Sequence, residues 1–306
     1  MVNSGSSANL VLIASLLNLG RLKRGDKVGV SAVTWSTNIA PLIQLGLEPV
    51  LIDVGVDDVN VDVVELSRVL QSLSAVFVTN VLGLDNDLVS IKSLCDANNL
   101  ILIEDNCEAL GCREGSTLFG NFGSASTSSS FVGHHLSTIE GGYIFTDDHE
   151  LYAMAKVVRA HGWSRNLSDD ERDLLRCFPT DAFSAGYTFD YCGFNVRPSE
   201  INAFCGLEQL PKLDFFNNIR SERFMIAAEM LGDLVYRRES RNPIFAIPIR
   251  SPSIEKRQFL SEKLNENLIE NRPIVSGSMG KQPFWVRKYG EKEMPNASLV
   301  DEKGLY

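Results

Sequence analysis

Three short segments of the chain gather side chains that bind or move charge. The first is SSSFVGHHLSTIEGG at 128–142, which holds His134 and His135, half of the chain's four histidines. Neighbouring side chains on a strand or turn point apart, so the two do not read as one metal site. An imidazole between a Ser-rich strand and a Gly-Gly turn is placed to act as a general base near neutral pH. The second segment is IEDNCEALG at 103–111. It ends an apolar run in carboxylates, where open α/β sheets take ligands; Asp105 suits a protonated ring nitrogen and Glu108 a ring substituent. An acidic loop closing a strand fits the same residues, and Asp105, Cys107 and Glu108 have no metal-ligand spacing. The third is NSGSSAN at 3–9. A Gly turn with consecutive hydroxyls, Ser6 and Ser7, at a helix start offers N–H donors and the positive dipole end to a phosphate; plain capping by Ser6 or Ser7 is the alternative. Trp35, just after a strand, can cover an aromatic ring or sit half-buried at a sheet edge.

Regular elements must hold these groups in place. SSANLVLIASLLNLG predicts a helix with Ser at its cap and Gly20 at its stop, and STNIAPLIQLG at 36–46, a stretch near 87–98 and HELYAMAKVVRAHG predict three more. Between them KVGVSAV (27–33), PVLIDV (49–54), AVFVTNV (75–81) and LILIED (100–105) predict strands, followed by the more polar ASTSSSF (125–131) and GYIFTDD (142–148). Val/Ile/Leu strands alternating with helices imply a parallel sheet covered on both faces, an α/β architecture. SRNLSDDERD at 164–173 reads as a solvated loop, and helical pattern resumes from Pro198 through the 230s. From about 243, PIFAIPI and SIEKRQFLSEKLNENLI predict a smaller α+β unit.

Composition narrows the partners. The 306 residues carry 29 Lys+Arg against 39 Asp+Glu, a net charge of −10, and the densest cationic run is RLKRGDK at 21–27. Nucleic acid is not expected, because counterion release needs a basic surface. An anionic cofactor remains compatible, since N–H groups and hydroxyls hold phosphate without net positive charge. The six cysteines, at 95, 107, 112, 177, 192 and 205, form no CxxC pair, the pattern of reduced thiols in a cytoplasmic protein. LVLIASLLNL at 10–19 lacks the basic flank of a secretory signal, and no run reaches the ~20 apolar residues of a membrane span.

The order of SGSSAN, WST, IEDNCEALG, FGSAS, SSF, EGG, RAHGW and GFNVRPSEINAFCGLEQL resembles the DegT/StrS-type sugar-nucleotide aminotransferase family. The resemblance implies a fold-type I pyridoxal-phosphate protein, with a large cofactor-binding domain over 1–215 and a smaller C-terminal domain over 216–306. It also implies a longer parent chain, extending beyond both ends of this one. One position departs from the family. Where aminotransferases carry a Schiff-base lysine, in a segment like SFYPTKNLTTGEGG, this chain has SFVGHHLSTIEGG with His134, and it has no lysine between Lys92 and Lys156. An imidazole cannot form that covalent bond.

The substitution resembles the branch of the family that removes the 3-hydroxyl from nucleotide-linked 4-keto-6-deoxyhexoses with pyridoxamine phosphate, regenerated from L-glutamate. The resemblance then implies His134 as base, Asp105 at the ring nitrogen, Trp35 stacked on the ring and Glu108 near the ring hydroxyl. It gives Ser6, Ser7 and Ser129 to the phosphate, with Asn195 reaching the neighbouring subunit's phosphate in a homodimer. His161 either assists the departing hydroxyl or is a structural residue after a helix. Arg165, Arg197 and Arg272 either meet an anionic substrate or form ion pairs. A related dehydrase adds an iron–sulfur cluster, which needs four thiolates; only three cysteines follow His134. An ordinary sugar aminotransferase and an inactive piece of the dehydratase are the competing readings.

Overall fold

Residues 1–306 are described here in a computed structural model. Six strands form the main sheet: β1 (Lys27–Ser31), β2 (Glu48–Ile52), β3 (Ala75–Thr79), β4 (Ile101–Asp105), β7 (Ala125–Ser129) and β8 (Gly142–Phe145), in the order β2-β1-β3-β4-β7-β8. A small hairpin, β5 (Arg113–Glu114) with β6 (Thr117–Leu118), leaves the path between β4 and β7. All neighbours in the main sheet are parallel except β7 and β8. The α/β expectation therefore holds. The chain reverses its direction of travel across the sheet at β1, so the crevice at the carboxyl ends of β1 and β3 is where such a sheet opens to a ligand. Thr34 and Thr79 meet there through their hydroxyls at 2.6 Å.

Helices α1 (Gly5–Asn18), α2 (Ser36–Gln44), α3 (Val63–Val69), α4 (Leu88–Ala97) and α5 (His149–Val158) cover the sheet. Helix α1 is apolar almost all round because it is enclosed on several sides, by α5 and by β7 and β8. The polar sequence of β7, ASTSS, is wholly buried, and its small side chains let α1 approach. Gly142 on β8 is part of the same fit: a Cβ there would stand 2.2 Å from the Ser4 carbonyl oxygen. Neither backbone can give way, so Gly142→Ala is expected to cost about 3 kcal/mol in urea unfolding.

Beyond α5 come α6 (Asp169–Leu174), α7 (Glu200–Gln209), α8 (Leu213–Leu231), β9 (Ile249–Arg250), α9 (Ile254–Glu266), α10 (Pro283–Tyr289), α11 (Pro295–Lys303) and β10 (Gly304–Leu305). One core cluster runs from Leu12, Val30 and Phe77 to Phe224, Trp285 and Val300. No helix is long and apolar enough to cross a membrane.

Three expectations need correction. The cap of α1 is Ser4, whose extended backbone lets its hydroxyl accept from the Ser7 N–H, so Ser6 and Ser7 lie inside the first turn instead of capping it. The expected loop at 164–173 contains α6, started by a capping box between Ser168 and Glu171. Glu171 is buried and paired with Lys156 at 2.8 Å, a tertiary contact that holds a helix too short to persist alone. In PIFAIPI only Ile249 joins a strand, pairing with β10. Pro243 and Pro248 have no N–H to give a ladder, and the Phe245 N–H is donated instead to the Leu82 carbonyl.

Candidate active site

Four strand ends converge on one crevice. Asp105 is the last residue of β4 and Ser129 the last of β7, while Thr34 and Trp35 follow β1 and Asn80 follows β3. Asp105 is buried and forms no ion pair within the chain. Its Oδ2 accepts from Asn38 Nδ2 at 2.7 Å and Asn9 Nδ2 at 3.0 Å, and its Oδ1 from the Cys107 N–H at 2.9 Å. A carboxylate has about four acceptor sites, so three are filled and one, on Oδ1, is open. A buried carboxylate lacking a cation fits a protonated ring nitrogen.

The adjacent histidines separate. His135 is buried, and its Nε2 meets the Pro243 carbonyl at 2.7 Å, a structural bond. His134 sits between Phe131 and Phe245, with ring centroids 6.2 and 5.3 Å away, and its buried Nδ1 has no partner. Burial pushes its imidazole down to about 4, against the pull of Asp105 and with a further push from Arg220. It is therefore neutral at pH 7, able to accept a proton.

Glu108 accepts the Leu82 N–H at 2.9 Å. Leu82 has φ +53, a left-handed conformation unusual for a branched residue, which turns that N–H toward the carboxylate. Burial, with Asp105 adding to it, pushes the Glu108 carboxyl up to about 7. Between 4.5, its ordinary value, and about 7 the native state holds the extra proton, so this group makes stability fall as pH rises. His134 and His135, both pushed down to about 4 by burial, tilt the same window the opposite way. Glu108→Gln should remove its share, gaining about 3 kcal/mol relative to wild type between pH 4.5 and 7.5 in urea titrations.

The start of α1 is equally defined. Ser7 N–H is taken by Ser4, and the N–H groups of Gly5 and Ser6 have no acceptor in the chain. Ser129 lies against Gly5, where a Cβ would stand 2.8 Å from the Ser129 Cβ. Free N–H groups, the Ser6, Ser7 and Ser129 hydroxyls and the dipole of α1 suit a phosphate. Trp35 is 53% exposed at the mouth, which fits both a cover over a ring and a half-buried edge residue.

Other predicted residues lie apart from Asp105 and His134. His161, at φ +64, packs on Trp163 at 4.8 Å, and its Nε2 stands 3.4 Å from Arg197. Arg165 stacks on Trp163 at 4.3 Å, and Asn195 bridges Ala160. This cluster makes no contact with His134 in its own chain. Arg272 forms an exposed pair with Glu270, and its backbone pairs with Tyr306. Residues missed in the sequence include Asn9, Asn38 and Arg220. Arg220 borders a cavity of about 490 Å³ with His134 and Arg223, and donates to the Phe245 carbonyl at 2.7 Å.

Comparison with known proteins agrees with this geometry. Residues 1–305 match the DegT/DnrJ/EryC1/StrS aminotransferase family. The chain is 37% identical over 319 residues to GDP-4-keto-6-deoxy-D-mannose 3-dehydratase of Escherichia coli O55:H7, covering 100% of this chain and 82% of that protein. A solved GDP-4-keto-6-deoxymannose-3-dehydratase with a trapped PLP-glutamate geminal diamine superposes with TM-score 0.91 at 35% identity, over 99% of this chain and 82% of the other. A histidine-to-asparagine mutant of such an enzyme with bound GDP-perosamine gives TM-score 0.91 at 34% identity, over 99% and 82%.

Proposed function

The chain belongs to the DegT/DnrJ/EryC1/StrS aminotransferase family, and from that premise we propose that it is a pyridoxal-phosphate-dependent 3-dehydratase of GDP-4-keto-6-deoxy-D-mannose, using L-glutamate as amino donor. The observation that carries the reading is His134. It is a neutral imidazole on the site wall where the aminotransferases need lysine, and no lysine lies between Lys92 and Lys156. When bound as pyridoxamine phosphate, the cofactor supplies an amine for the 4-keto carbon and a ring that accepts the electron pair expelling the 3-hydroxyl.

The chain's residues divide the remaining work. Gly5 and Ser6 N–H groups with the Ser6, Ser7 and Ser129 hydroxyls hold the phosphate. Asp105 would keep the ring nitrogen protonated, Trp35 would cover the ring, and Glu108 would meet the ring hydroxyl. His134 takes the proton from the cofactor's methylene carbon and, unlike lysine, leaves no covalent tether.

A homodimer completes this reading. Ile201, Phe204 and Leu207 on α7 are 69%, 66% and 69% exposed, an apolar face suited to a second copy. Asn195, with Arg197 and His161, would reach the partner's site, and light scattering measures the mass. The decisive assay supplies the protein with pyridoxamine phosphate and GDP-4-keto-6-deoxymannose. Ammonia and a 3-deoxy sugar are expected. Borohydride trapping of a covalent lysine adduct with pyridoxal phosphate would instead identify an aminotransferase.

A further inference from the structure

We propose that Thr127, Asn9 and Asn38 are positioning residues that fix the orientation of Asp105, so that a single acceptor on its Oδ1 faces the ring nitrogen. The inference rests on the proposed cofactor and concerns residues outside the contacts assigned above.

The geometry follows from how α1 lies on β7. Gly5 meets Ser129 and Asn9 meets Thr127, so four residues forward on the helix correspond to two residues back on the strand. Four helical residues rise ~6 Å and two strand residues ~6.7 Å, so the two elements stay in step across the site. One rigid helix thus presents its first turn to the phosphate and its next turn, through Asn9, to Asp105.

Each amide end is accounted for. Thr127 donates its hydroxyl to Asn9 Oδ1 at 2.7 Å, which leaves the Asn9 NH2 group to donate to Asp105 Oδ2 at 3.0 Å and to the Thr37 carbonyl at 3.4 Å. That hydroxyl anchors the acceptor end of Asn9 away from the carboxylate, so that its loss leaves the amide held at its donor end alone. Asn38 is buried and supplies the second donor at 2.7 Å, while its own oxygen has no partner, so Asp105 is what orients it. Two amide donors on one oxygen stop the carboxylate rotating. Neither donor carries charge, so the full negative charge of Asp105 remains available to the ring nitrogen.

The test uses the whole protein titrated with pyridoxal phosphate, following the dissociation constant and the pH at which the bound cofactor's absorption changes. Thr127→Val is close in shape and removes only the hydroxyl. It should weaken binding about 3-fold and move the spectral transition to lower pH, because the carboxylate is less firmly aimed at the ring nitrogen. Asn38→Ala should weaken binding about 10-fold with a larger shift in the same direction. Thr127→Ser keeps the hydroxyl and should match wild type. Wild-type binding constants and transitions in both Thr127→Val and Asn38→Ala would overturn the inference, as would a Thr127→Ser shift equal to that of Thr127→Val. Should Asn38→Ala not fold, the two Thr127 variants decide. A wild-type protein that takes up no cofactor would overturn the proposed function as well, whereas unchanged variants overturn this inference alone.

Discussion

Asparagine in place of His134 is expected to abolish ammonia release, with a loss of about 10³-fold or more, while cofactor uptake persists. General-base catalysis contributes roughly 10²–10⁴-fold. The amide is polar but smaller than the imidazole and has no basic nitrogen, so part of the packing against Phe131 and Phe245 is lost together with proton transfer. The pH profile carries a second, independent sign. Burial holds the imidazole neutral down to about 4, so protonation of His134 in the free protein removes activity only near that value, far below the 6.5 of an exposed histidine. Its contribution to stability has the same origin. The unfolded chain binds the extra proton between 6.5 and about 4, so native stability drops as pH falls through that window. The asparagine variant should lose this acid sensitivity. Turnover at the wild-type rate in that variant would reassign the base.

How far the sequence discloses this site depends on whether a residue's role is local. The strands of the sheet are visible because buried parallel strands are runs of Val, Ile and Leu, and Asp105 is visible because it ends such a run. His134 is visible through the lysine it replaces. Asn9 and Asn38 are not, since inside α1 and α2 they look like ordinary helical polar residues. Their partner Asp105 lies 96 and 67 residues away, a contact that exists only once the sheet has formed. The α6 error has a different source. Ser168 and Glu171 spell a capping box in the sequence, but the acidic run around them hides it, and the burial of Glu171 is supplied by Lys156 on α5. PIFAIPI misleads in the other direction, because β-forming residues cannot compensate for two prolines without N–H groups.

Asparagine at position 105 tests the electrostatic half of the site. Isosteric with aspartate, it must still offer its oxygen to the two amide donors of Asn9 and Asn38, because a donor there would face donors. Its NH2 group then occupies the place of Oδ1, pointing at the Cys107 N–H and into the open acceptor position. A ring nitrogen meeting that group accepts a hydrogen bond and stays unprotonated. The expected result is cofactor binding with a neutral ring, seen as an absorption transition displaced to lower pH. The dehydration rate should fall about 10²–10³-fold, the scale of losing a preorganised charge aimed at the reacting electrons. Alanine at the same position leaves three buried donors without an acceptor, so it should also destabilise the fold by about 2 kcal/mol, which asparagine largely avoids. Equal rates for Asp105→Asn and wild type would mean that the ring is not held by this carboxylate. Equal losses of rate with a retained wild-type spectrum would place the defect in orientation instead of charge.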